Sequence, residues 1–130
     1  MDRQLINEIL GKALKKSTGF FGTFASMLFC KVLPVDSARE HISDISKTEL
    51  ETALAEAGEI LERGDEEDTI TAIVYAGFSD MNPALIVAKM NGYNSAELTA
   101  YAKEGLIKQH TAEKALQKVF YYKNVLNNDI

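Results

Sequence analysis

Apolar side chains return every third or fourth position through most of this chain, and that period is the strongest constraint on its fold. Leu5, Ile6, Ile9, Leu10, Ala13 and Leu14 share one helical stripe, with Arg3, Asn7, Glu8, Lys12 and Lys15 on the other side. Phe20, Phe21, Phe24, Ala25, Leu28, Phe29 and Val32 form a second, and Leu50, Ala53, Leu54, Ala57, Ile60 and Leu61 a third. Ala112, Ala115, Leu116, Val119, Tyr122 and Leu126 form a fourth. Such spacing lets one edge of a 3.6-residue helix be buried. Two prolines, Pro34 and Pro83, are the only rigid interruptions, which leaves room for long helices.

Start and stop signals divide the pattern. Ser46-Lys-Thr-Glu49 has the form of a capping box, in which serine and glutamate each satisfy an orphan amide of the first turn. Gly64 suits a left-handed stop, and the carboxylates Asp65 to Asp68 suit the positive end of a following helix dipole. Asn82-Pro83 reads as a cap with proline at the first helical position. Gly92 reads as the next stop, with Tyr93 packing back on Val87 or Ala88. Ser95 and Thr111 read as further caps. No alternating run bounded by turn signals stands out, so no sheet is expected. The expectation is an all-α fold, a single-domain bundle of six to seven helices over residues 1–130. Long helices are placed at about 3–15, 20–33, 47–63, 66–80 and 112–126, with shorter ones near 37–45, 83–91 and 96–104. The expected core is Leu10, Phe24, Leu28, Leu54, Leu61, Ile73, Val74, Leu98, Leu116 and Val119.

A chain of 130 residues is long enough for one real core. Cys30 is its only cysteine, so no internal disulfide forms and a reducing, cytoplasmic setting is the simpler expectation. Phe20 to Leu33 is the most apolar stretch. It is shorter than the about 20 residues a bilayer span requires. It reads as a core helix rather than a membrane anchor, and as the surface through which a homodimer would form.

Charge is uneven. Residues 36–70 carry twelve acidic and three basic groups, whereas the chain as a whole has a net charge of −5. The acids Glu51, Glu56, Glu59, Glu62, Asp65 and Glu66 read as one helix face and its exit turn. Such a face is ordinarily a solvated one; as a site it would dock a basic partner protein. A calcium loop is excluded by the missing ligand alternation and central glycine. His41 and Asp44 have the spacing of a two-ligand metal pair, but no third ligand supports them. His110 lies in a turn. No nucleophile motif or glycine-rich phosphate loop is present. No cofactor, metal site or membrane partner is therefore expected.

Residues 84–103, with Ala88 inside the first segment and Gly92 at the turn, resemble the helix-turn-helix unit of many DNA-binding proteins. That resemblance implies DNA contacts from Lys89, Asn94, Ser95, Thr99 and Lys103. The segment is not basic, and phosphate attraction dominates DNA affinity. The leading functional expectation is thus a non-enzymatic protein-interaction or regulatory module, an inhibitor or adaptor that uses the acidic face. A DNA-binding regulator is the alternative.

Overall fold

The computed structural model describes residues 2–18, 34–64, 68–77, 80–104 and 109–128. Among them run α1 (Arg3–Thr18), β1 (Val35–Ser43), α2 (Lys47–Ala57), β2 (Glu59–Gly64), β3 (Thr69–Ala76), β4 (Asn82–Met90), β5 (Ser95–Lys103) and α3 (Thr111–Asn128). The five strands make one sheet in the order β1-β5-β4-β3-β2, antiparallel throughout. The architecture is mixed α/β, and the expected all-helical bundle is overturned. Where helices are expected at 37–45, 66–80, 83–91 and 96–104, the described residues form the strands Val35–Ser43, Thr69–Ala76, Asn82–Met90 and Ser95–Lys103, and the helix expected over 47–63 ends at Ala57. The expected helix 20–33, its core residues Phe24 and Leu28, the lone Cys30 and the dimer surface assigned to that segment lie outside the described residues.

The sheet is covered on both faces. Inward side chains Ile70, Ala72, Val74, Ala84, Ile86, Ala88, Leu98, Ala100 and Ala102 pack under α2 and α3 through Leu50, Leu54, Ala115, Leu116 and Val119. The opposite face meets α1, where Ile6, Leu10 and Ala13 pack on Ile73 and Leu85. Central strand β4 is therefore apolar on both faces, as strands between two helical layers are. The many strand alanines on the α2/α3 side keep that surface low, so two helices can lie close to it.

Local chemistry explains several boundaries. The capping box at Ser46 forms as expected: Glu49 N–H donates to the Ser46 hydroxyl (3.2 Å) and Ser46 N–H to the Glu49 carboxylate (3.3 Å). The helix stops at Gly58 rather than Gly64, because the chain there passes against the β3 backbone. A Cβ on Gly58 would overlap the Ile73 carbonyl oxygen and sit 2.9 Å from the Ile73 carbonyl carbon. Between β4 and β5, Asn91-Gly92-Tyr93-Asn94 is a hairpin loop, closed by Asn91 N–H to the Ser95 carbonyl (2.8 Å). Gly92 takes φ +76°, a left-handed conformation that glycine adopts without strain. Tyr93 does not pack back; it is 92% exposed. Thr111 is the first residue of α3 rather than its cap. Its N–H donates to the buried Glu104 carboxylate (2.8 Å), and its hydroxyl accepts from the Asn82 amide (2.8 Å).

Candidate functional site

The acidic residues named from sequence do not share a helix face. Glu51 and Glu56 are on α2, whereas Glu59 and Glu62 are on the edge strand β2; Asp65 and Glu66 lie outside the described residues. Register places Glu59 opposite Ile73 and Glu62 opposite Thr71, on the sheet face that carries α1. Arg63, opposite Ile70, faces the other way and reaches Glu51 at 3.8 Å. The carboxylates thus flank β2 from both sides, and the strand becomes the spine of an acidic sheet edge.

The register also breaks within β2. Ile60 pairs with Ala72 and Glu62 with Thr71, which leaves Leu61 as the extra residue of a bulge. A bulge disrupts the ladder and re-aims a side chain. Leu61 is consequently 45% exposed rather than in the core where its helical spacing put it. It borders a cavity of about 220 Å³ between α1 and the β2–β3 hairpin, lined otherwise by Ile9, Lys12, Ala13, Glu59, Ile73 and Tyr75. The Tyr75 hydroxyl donates to the Ala13 carbonyl (3.2 Å), which fixes the helix beside this slot. Leu5, also exposed, lies one turn before Ile9 on the same helix. The result is an apolar slot with one carboxylate, Glu59, on its strand side and one amine, Lys12, on its helix side.

The helix-turn-helix reading of residues 84–103 is overturned, since these residues form the β4–β5 hairpin. Its expected DNA contacts are scattered by that change. Lys89 is exposed and Lys103 is buried at 6% exposure, both on the α1 face of the sheet. Asn94 is in the hairpin loop, and the Ser95 hydroxyl is turned onto the Asn91 carbonyl (3.0 Å). Thr99 is half-buried on β5. No recognition helix remains to enter a groove.

His41 does not pair with Asp44. It sits on β1 directly opposite Glu97 of β5, with its Nδ1 2.7 Å from the Glu97 carboxylate. Both side chains are exposed, so this contact pins the edge strand to its neighbour. His110 is an exposed turn residue with φ 55°. Among the described residues no three His, Cys, Asp or Glu side chains gather in a way that could hold a metal ion. No helix among them is long and apolar enough to cross a membrane.

No known family model matches this chain, and no curated protein matches it in sequence. The architecture and its surfaces therefore carry the functional argument. They define a three-layer α/β/α sheet protein whose two outer strands, β1 and β2, have a strand neighbour on one side only among the described residues.

Proposed function

We propose that this protein is a non-enzymatic interaction module, an adaptor or inhibitor, and that the β2 edge docks a basic partner protein. The observation that carries the reading is Leu61. A leucine lifted out of the ladder by a bulge, at the mouth of an apolar slot and between Glu59 and Glu62, has the form of a docking anchor. An apolar side chain of the partner fills the slot. Basic side chains beside it meet Glu59 and Glu62, with Glu51 and Glu56 extending the negative field over the edge. Charges at such a rim steer and orient association, while the desolvated apolar contact supplies most of the affinity. The bulge suits this mode, because recognition runs through side chains rather than through an added strand. The lone cysteine supports placing this activity in a reducing compartment such as the cytoplasm.

Immobilised protein tests the proposal by recovering partners from cell extract at increasing ionic strength. Partners held by the parent are expected to be lost with Leu61→Asp and with the double reversal Glu59→Lys/Glu62→Lys, and to bind more weakly as salt rises. Equal recovery by both variants would remove the β2 edge from the function.

A further inference from the structure

The opposite edge of the sheet is built differently. Strand β1 pairs with β5 in unbroken register over its whole length, from Val35 opposite Lys103 to Ser43 opposite Ser95. It has no bulge, and none of its residues is a proline. An outer strand of an antiparallel sheet leaves every second pair of its backbone N–H and C=O groups without a ladder partner. Sheets commonly blunt such edges with bulges, proline or charged side chains; β1 has no bulge and no proline, and its charged residues are Asp36, Arg39 and Glu40.

Helix α3 runs beside this edge in the same direction as β1. Its first residue, Thr111, is tied to Asn82 at the Val35 end of the sheet (2.8 Å), and its Lys123 donates to the Ser43 carbonyl at the other end (3.1 Å). Glu113, Leu116, Gln117 and Phe120 recur at one helical stripe and line a groove of about 310 Å³ together with Ser37, Ala38, Arg39 and Glu40 of the strand. The strand's alternation puts Ala38 and Glu40 on this side and Ser37, Arg39 and His41 on the α1 side. A strand edge with no further strand neighbour among the described residues, and a helix-lined groove beside it, is the arrangement that captures extended peptides by strand addition: backbone bonds supply affinity, and alternate side chains entering the groove supply selectivity.

We infer that β1 and α3 bind an extended segment of a partner protein as a sixth strand, and that this segment carries a lysine or arginine two positions from an apolar residue. The apolar side chain lies against Ala38, Leu116 and Phe120. The basic one meets the Glu40 and Glu113 carboxylates in the same groove. Side chains between them face Ser37, Arg39 and His41 and are hydroxylic or acidic. A second copy of β1 is a poor occupant. In the antiparallel registers centred on Arg39 or Glu40, arginine stands opposite arginine or glutamate opposite glutamate, and like charges in such pairs are destabilising. The inference rests on a different edge from the β2 docking surface, and either can fail without the other.

The probe is a fluorescent peptide of the length of β1, with lysine and leucine alternating on one face and threonine and glutamate on the other. A second peptide has its lysines and glutamates exchanged. The first should bind the full-length chain saturably and slow amide exchange in Val35–Ser43, with β2 unchanged. Reversal of the two exposed carboxylates, Glu40→Lys/Glu113→Lys, should weaken it about tenfold and favour the exchanged peptide. Absence of saturation at millimolar peptide would overturn the inference. So would protection confined to β2, or an affinity indifferent to the double reversal in a variant whose circular dichroism matches the parent. A solution mass of two chains that falls to one in Arg39→Glu would put a second copy on the edge and overturn the assigned occupant.

Discussion

Replacing Gly58 by alanine separates the observed fold from the helical reading of the same residues by the sign of its effect. Gly58 has φ −168°, outside the left-handed region that favours glycine. Space is the obstacle. The added methyl would overlap the Ile73 carbonyl oxygen and lie 3.0 Å from the Val74 Cα. Both neighbours are backbone of β3, between β2 and β4, and neither can rotate away. Overpacking of this kind costs about 1–3 kcal/mol, and the rigid backbone places Gly58→Ala near the upper end. For a chain of 130 residues each kcal/mol moves the melting temperature by about 4 °C, so a fall of about 10 °C is expected. Were residues 47–63 one helix, the same change would remove an interior glycine and stabilise by ~1 kcal/mol, raising the melting point. Thermal unfolding followed by circular dichroism decides between them. Gly92→Ala is the internal comparison: nothing lies within 4 Å of its Cβ position, and only its φ of +76° resists substitution, a cost of about 1–2 kcal/mol. A Gly58→Ala melting point equal to or above the parent's would refute the reasoning.

Three further outcomes follow from the packing. Leu54 is fully buried under the sheet, so Leu54→Ala should lose about 2–5 kcal/mol in urea titration. Leu61→Ala should lose under about 0.5 kcal/mol because that side chain is at the surface, yet it should weaken partner recovery; a loss as large as that of Leu54 would return Leu61 to the core. Asn82→Ala removes a donor shared between the Lys103 carbonyl (3.0 Å) and the Thr111 hydroxyl (2.8 Å), and should cost about 1–3 kcal/mol in the same titration.

The sequence announced its helices and disguised its strands, and the disguise has identifiable causes. Helix α1, the Ser46 capping box and α3 were legible because their stripes are bounded by the right chemistry. Strand β5 was missed although Ala96, Leu98, Ala100 and Ala102 alternate strictly with Glu97, Thr99, Tyr101 and Lys103. Alanine, leucine and glutamate are strong helix formers, and their propensity hid a period of two. Those alanines are there because helices lie on them, a tertiary demand invisible locally. Strand β4 showed no alternation because it is buried on both faces. Asn91-Gly92 was the missed hairpin signal. In β2, Ile60 and Leu61 prolong the spacing of Leu50, Leu54 and Ala57, and only the close approach at Gly58 breaks it. The acidic residues were visible as a charge block, but their distribution around a sheet edge was not. The β1–α3 groove could not be read at all, because it exists only once residues 35–43 are known to be an outer strand.

Amide hydrogen exchange of the free protein, resolved residue by residue, tests most directly the five-stranded sheet and the outer position of β1 in it. Through Val35–Ser43 alternate amides should exchange as fast as those of an open chain and the rest slowly, while the amides of β4 are slow without alternation. Uniformly slow exchange across Val35–Ser43, matching β4, would mean that the edge is already covered and would contradict the account.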